Sequence, residues 1–252
     1  MRILGRIRHS VAAMPDLTLE TDYANQLRVP LHSVCGIDEA GRGPWAGPVA
    51  AAAVILNPND LPKGIDDSKR LTHAQREALF DVIRDQALAS CVVMISAQEI
   101  DSTNILKATL EGMARAVQGL SRAPSLALID GNRAPTLPCP SFCVIGGDRL
   151  SLSIAAASIL AKVARDRLMA EADDLYPGYG FAQHKGYGTK AHQQALERLG
   201  PCPIHRLSYK PVAKVLRGLQ HQTSATLHPL QTEQRHKRRF LSRREQTYGD
   251  VK

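Results

Sequence analysis

Aromatic side chains are scarce in this chain: they make up 4% of its 252 residues, with a single tryptophan. That scarcity does not exclude a core, because the apolar share as a whole, 44%, is ordinary for a globular protein of this length. Long apolar runs are also missing. The longest, Val49–Leu56, has eight residues, well short of the ~20 that a bilayer-spanning helix needs. No membrane partner is therefore expected. The five cysteines (Cys35, Cys91, Cys139, Cys143 and Cys202) contain no CxxC pair, and three residues separate Cys139 from Cys143 with no second pair to complete a zinc site. An odd count without a secretory signal points to reduced thiols, buried as small hydrophobes, in a cytoplasmic protein.

What is present is positive charge, unevenly spread. The net charge is +8. Residues 217–252 hold eight basic and three acidic side chains, whereas residues 32–216 hold twenty and eighteen. Such a balance suits a polyanionic partner without identifying one. The basic run Arg235, Lys237, Arg238, Arg239, Arg243, Arg244 lies among few apolar residues. It reads as a solvated, disordered tail over 220–252, or as a source of extra nonspecific affinity for phosphates. At the other end, MRILGRIRHSVAAMP carries Arg2, Arg6 and Arg8 and no acid before Asp16. Its apolar stretch is too broken for a signal peptide. Residues 1–31 read as an N-terminal extension, with Met14 as an alternative start.

Between these ends, strand and helix patterns alternate. Ser33–Asp38, Pro48–Leu56, Cys91–Ser96, Leu126–Asp130 and Ser141–Ile145 read as strands. Thr72 caps a helix through Leu79, Val82, Ile83 and Leu88. A second helix starts near Asn104 and runs towards Leu120. A long third one, capped by Ser151 or Ser153, runs to about Leu175, where Pro177-Gly178 breaks it. Short helices follow to about Leu219. This order predicts one α/β domain over 32–219, a mixed sheet flanked by helices.

The chemistry-bearing residues collect at strand ends. Asp38 and Glu39 close the first strand and Asp130 closes LALID. If those strands are parallel neighbours, Asp38 and Asp130 converge where α/β sheets gather ligands. Strand residues alternate in direction, so Glu39 joins them only because Gly41 lets the chain leave the sheet. Clustered carboxylates need a cation to stay ionised, and hard oxygen donors select Mg²⁺ or Mn²⁺ over zinc. Such a site suits two-metal phosphodiester hydrolysis. Alone, an Asp-Glu pair also serves as a cap or a surface charge. Gly41-Arg42-Gly43 could cradle a phosphate, yet it lacks the lysine and Ser/Thr of a P-loop.

Six ordered blocks narrow the choice: GIDEAGRGPWAGPV (36–49), DDSKRL (66–71), LIDGN (128–132), GGD (146–148), SIAAASILAKVARDR (153–167) and HKGYGTKAH (184–192). Together they closely resemble the type-2 ribonucleases H, the ribonuclease HII family. The resemblance implies a ribonuclease-H-like fold with a small helical C-terminal extension. It also implies an endonuclease that cuts the RNA strand of RNA–DNA hybrids and single ribonucleotides embedded in duplex DNA, leaving 5′-phosphates. By the same resemblance Asp38, Glu39, Asp130 and Asp148 are the metal-binding carboxylates. The backbone of Gly41, Arg42 and Gly43 reads the 2′-OH, the group that separates RNA from DNA. Arg42 adds a phosphate contact, and Tyr187 packs against the deoxyribose that follows the ribonucleotide. Lys69, Lys185 and Arg206 are candidates for the backbone track. His184, His192 and His205 match no zinc spacing and are expected to be structural or to contact phosphate. A monomer is expected. Two competitors remain at this point: a hybrid-binding protein without catalysis, and a junction resolvase or transposase on the same superfold.

Overall fold

The computed structural model describes residues 14–223. The readings made for residues 1–13 and for the basic run beyond residue 223 lie outside the described residues. Five strands form one mixed sheet: β1 (Val34–Ala40), β2 (Val49–Ile55), β3 (Ala89–Ile95), β4 (Leu126–Asp130) and β5 (Ser141–Val144). Their order is β3-β2-β1-β4-β5. β2 runs antiparallel to both β1 and β3, whereas β4 runs parallel to β1 and β5 parallel to β4.

The unbroken apolar run of β2 follows from burial on both faces. Ala50, Ala52 and Val54 join the cluster beneath the long helix α5 (Leu152–Leu175), while Ala51, Ala53 and Ile55 join the cluster against α4 (Ile105–Gln118). The same alternation sends Cys35, Ile37, Ala127 and Ile129 to the α4 face. Gly36, Asp38, Leu128 and Asp130 are thereby left for the α5 face. Helix α5 can lie close to the sheet because Ala155, Ala156, Ala157, Ala161 and Ala164 are all fully buried. At its nearest approach a Cβ on Gly36 would fall 2.1 Å from the backbone carbon of Ser153.

Helix starts follow local side-chain chemistry. Thr72 and Gln75 form a capping box at α2 (His73–Gln86), Asn104 caps α4, and Ser151 caps α5. Ser96 and Glu99 form a further capping box on α3 (Ala97–Ser102), a short helix the apolar spacing does not announce. After α5 come α6 (Phe181–His184), α7 (Lys190–Leu199) and α8 (Lys210–Thr223). They make the expected helical extension, with the last helix running past residue 219.

The folded body also begins earlier than residue 32. Helix α1 (Thr18–Leu27) docks through Glu20, whose buried carboxylate accepts hydrogen bonds from Ser151 Oγ (2.6 Å), Ser153 N (2.8 Å) and Ser153 Oγ (2.7 Å). Leu152 N–H donates to Asp16 O, and Tyr23 stacks on Phe142. The boundary expected at 31/32 therefore falls inside packed structure. Ala24 and its apolar neighbours pack on the same side, but the buried glutamate among these contacts leaves no periodic trace in the sequence.

Candidate active site

Strands β1 and β4 are adjacent and parallel, with Ile37 opposite Ile129. The next residues, Asp38 and Asp130, therefore stand side by side on the α5 face. Together with Glu39 they line a cleft of about 480 Å³, room for a nucleotide-sized fragment but not for a duplex. Strand β1 continues to Ala40 before Gly41, at φ 94°, turns the chain. Glu39 still reaches the cleft, where it accepts from Arg42 at 3.2 Å.

Electrostatics bind these groups together. Burial raises the Asp38 carboxyl well above its usual range, and the charges of Glu39 and Asp130 raise it further. Burial also raises Glu39, against the pull of Arg42. Asp130 is raised by burial and by Asp148, against a hydrogen bond from Gly147 N–H. Asp148, 3% exposed, lies in the 3-10 turn Gly147–Arg149. It pairs with the Lys69 ammonium at 2.7 Å. Lys69 is thus joined to the carboxylate group at the cleft rather than standing alone on a surface track.

Among the described residues no three His, Cys, Asp or Glu side chains form a group poised to hold a metal ion. Instead each carboxylate leans on a protein donor: Asp38 on Glu39 N–H, Glu39 on Arg42, Asp130 on Gly147 N–H and Asp148 on Lys69. The donor set itself is all-oxygen, crowded and hard to ionise. Those properties fit Mg²⁺ or Mn²⁺, whose charge would stabilise the ionised forms.

The loop and tyrosine expected to meet the sugar lie against each other: a Cβ on Gly43 would stand 3.5 Å from Tyr187 Cε1. Tyr187 is 46% exposed and lines the cleft. Arg42 is half-exposed at its rim. Lys185 is half-buried, in a left-handed conformation, with its carbonyl accepting from Arg165.

Arg206 is a correction. Its side chain is fully buried and cannot meet a phosphate. Its guanidinium donates to the carbonyls of Gly41 (2.6 Å), Arg42 (2.9 Å), Gly47 (3.0 Å) and Pro48 (3.1 Å). It shapes the loop from beneath. Arg206→Met leaves several of these carbonyls unpaired at ~1–3 kcal/mol each. The expected result is a loss of about 3 kcal/mol or more in denaturant unfolding. The salt dependence of hybrid binding should not change, whereas loss of a phosphate contact would flatten it by about 0.9 in log–log slope.

His192 and His205 are fully buried in one hydrogen-bonded chain. Cys202 N–H donates to His205 Nδ1 (3.0 Å), which leaves the neutral His205 ring to donate Nε2–H to His192 Nε2 (3.0 Å) and His192 Nδ1–H to meet Tyr187 O at 3.0 Å. Burial lowers His192 to about 4 and His205 to about 3. Both are neutral at pH 7 and bring no charge to a phosphate.

Sequence reasoning missed Ser158, Lys162 and Arg165, which all line the cleft. Ser158 lines the cleft with Asp38, partly offsetting the rise of its carboxyl, and its Oγ stands 2.9 Å from Ser68 Oγ. The signal was available. These three are polar residues at i, i+4 and i+7 of an alanine-rich helix, and so share one face.

The sheet order, the long crossing helix and the carboxylates at paired strand ends define a ribonuclease-H-like α/β enzyme. A family model described as Ribonuclease HII matches residues 35–212. Ribonuclease HII of Caulobacter vibrioides is 58% identical over 202 residues, covering 80% of this chain and 93% of the relative. That of Brucella canis is 50% identical over 202 residues, covering 78% and 92%. Among solved structures, ribonuclease H2 from Pyrococcus horikoshii superposes with a TM-score of 0.65 at 25% identity, covering 74% of this chain and 98% of that one. Bst-RNase HIII in complex with Mn²⁺ shares the fold, with a TM-score of 0.59 at 18% identity over 75% and 70% of the chains. The chain belongs to the ribonuclease HII family. It is a ribonuclease H, an endonuclease acting on the RNA of RNA–DNA hybrids. No helix among the described residues is long and apolar enough to cross a membrane.

Proposed function

We propose that the enzyme hydrolyses the RNA strand by a two-metal-ion route and also cuts at single ribonucleotides embedded in duplex DNA, leaving 5′-phosphate and 3′-hydroxyl ends. Asp38, Glu39, Asp130 and Asp148 would hold Mg²⁺ or Mn²⁺, which supply Lewis acidity at the scissile phosphate when bound. The observation that carries this reading is the pairing of buried Asp38 with Asp130 on adjacent parallel strands. Each is costly to ionise there unless a cation joins it.

The chain's own residues do the remaining work. Lys69 offsets negative charge beside Asp148 and, with Arg42 and Lys185, is available to phosphate oxygens. Backbone groups of Gly41, Arg42 and Gly43 present the 2′-OH reader, because glycine lets a sugar approach closely. Tyr187, beside Gly43, would pack on the following sugar, and a 2′-OH there would crowd its ring, so a single embedded ribonucleotide is expected to be cut faster than a uniform hybrid.

Two labelled substrates test the reading: a uniform hybrid, and a DNA duplex carrying one ribonucleotide. Cleavage of both is expected with Mg²⁺ or Mn²⁺ and of neither with chelator, with the embedded site cut on the 5′ side of its ribose. Cleavage of the uniform hybrid alone would remove the embedded-ribonucleotide reading. Binding without cleavage of either would remove the metal-site assignment.

A further inference from the structure

A second buried guanidinium lies beside Arg206. Arg165, 1% exposed on α5, donates Nε–H to Pro48 O (2.8 Å), Nη2–H to Ala46 O (3.1 Å) and Nη1–H to Lys185 O (3.0 Å). The first two carbonyls belong to the 41–48 loop and the third to the segment carrying Tyr187. One rigid fork therefore spans both loops, a task suited to a planar five-donor group.

The glycines of both loops are fitted to this clamp. A Cβ on Gly41 would fall 2.0 Å from Arg165 Nε, and one on Gly47 would fall 3.3 Å from its Nη2 and 2.2 Å from Met169 Sδ. A Cβ on Gly186 would fall 2.3 Å from Ala46 O. The seam is closed by Trp45 N–H, which donates to Gly186 O at 2.8 Å. Burying a guanidinium on carbonyls alone is expensive, and a purely apolar filler would have supported either loop singly. What the fork adds is a fixed separation between them.

We propose that Arg165 is a positioning residue for substrate choice: by locking the 41–48 loop to the Lys185–Tyr187 segment, it makes Gly43 and the Tyr187 ring address two successive sugars as one gauge. This deepens the function proposed above and rests on it.

The test is Arg165→Lys, which keeps a positive charge but cannot span three carbonyls. The first readout is the ratio of kcat/KM for a single embedded ribonucleotide to that for a uniform hybrid. The second, independent of metal and activity, is hydrogen exchange at the Trp45 amide in the full chain. The variant is expected to lower the ratio at least tenfold and to speed Trp45 exchange at least tenfold. A ratio within twofold of wild type, in a folded variant, overturns the proposal. So does unchanged Trp45 protection. If wild type itself shows no preference between the substrates, the sugar-reading function fails and the proposal falls with it, whereas Trp45 exchange reports separately on the clamp. Should the lysine variant not fold, Gly186→Ala wedges the same seam with Arg165 intact. It must reproduce the lost preference, and a wild-type ratio there overturns the gauge.

Discussion

Asp130→Asn is expected to slow hybrid cleavage about a thousandfold or more, a loss of ~4 kcal/mol of transition-state stabilisation. Asp130 Oδ1 accepts the Gly147 N–H at 2.7 Å, and an asparagine carbonyl can accept the same bond. The turn that presents Asp148 is therefore kept while the anionic oxygen is lost. Stability should move the other way in metal-free protein. A carboxyl raised above its usual range, as Asp38 is by burial and by Glu39 and Asp130, lowers folded-state stability as pH rises past the ordinary carboxylate range. Removing the Asp130 charge relieves that repulsion, so the metal-free variant should melt no lower than wild type at pH 7, and hybrid binding should largely persist. Cleavage at wild-type speed with Mg²⁺ or Mn²⁺ would take Asp130 out of the metal site. A melt far below wild type would show instead that its charge supports the turn.

The legible parts of the molecule were those governed by local chemistry. Thr72, Asn104 and Ser151 announce helices because a capping side chain acts within three residues. The apolar run of β2 announces a strand buried on both faces. The meeting of Asp38 and Asp130 followed from strand alternation once the two strands were taken as neighbours, which their register makes them. What stayed hidden was set by burial of charge, which no local pattern encodes. Arg206 looked like a surface cation because most arginines are, and Glu20 looked like part of an extension. Each is a buried hub: the carbonyls that Arg206 holds and the serines that hold Glu20 lie more than a hundred residues away in the chain. Lys69 was half-legible: its motif drew attention to it, but its partnership with Asp148 across 79 positions belongs to the fold.

Gly36→Ala should cost about 3 kcal/mol or more, at or beyond the upper end of ordinary overpacking, and lower Tm by about 6–12 °C for a chain of this size. Gly36 sits mid-sheet, opposite Val54 on one side and Leu128 on the other, so β1 cannot slide to make room. A new Cβ would meet Ser153 C at 2.1 Å, Ser153 O at 2.3 Å and Ile154 N at 2.4 Å. All three are backbone atoms at the start of α5, and no rotamer change can clear them. Helix α5 would have to lift, yet Glu20 holds that same end through Ser151 and Ser153. Lifting it would also draw Ser158 away from Asp38, so the fraction that stays folded should cleave more slowly than wild type. Thermal unfolding followed by circular dichroism measures the first effect, and cleavage per folded molecule the second. A Tm within about 2 °C of wild type would mean that α5 rides higher on the sheet than 2.1 Å allows. The cleft would then owe its shape to something other than this contact.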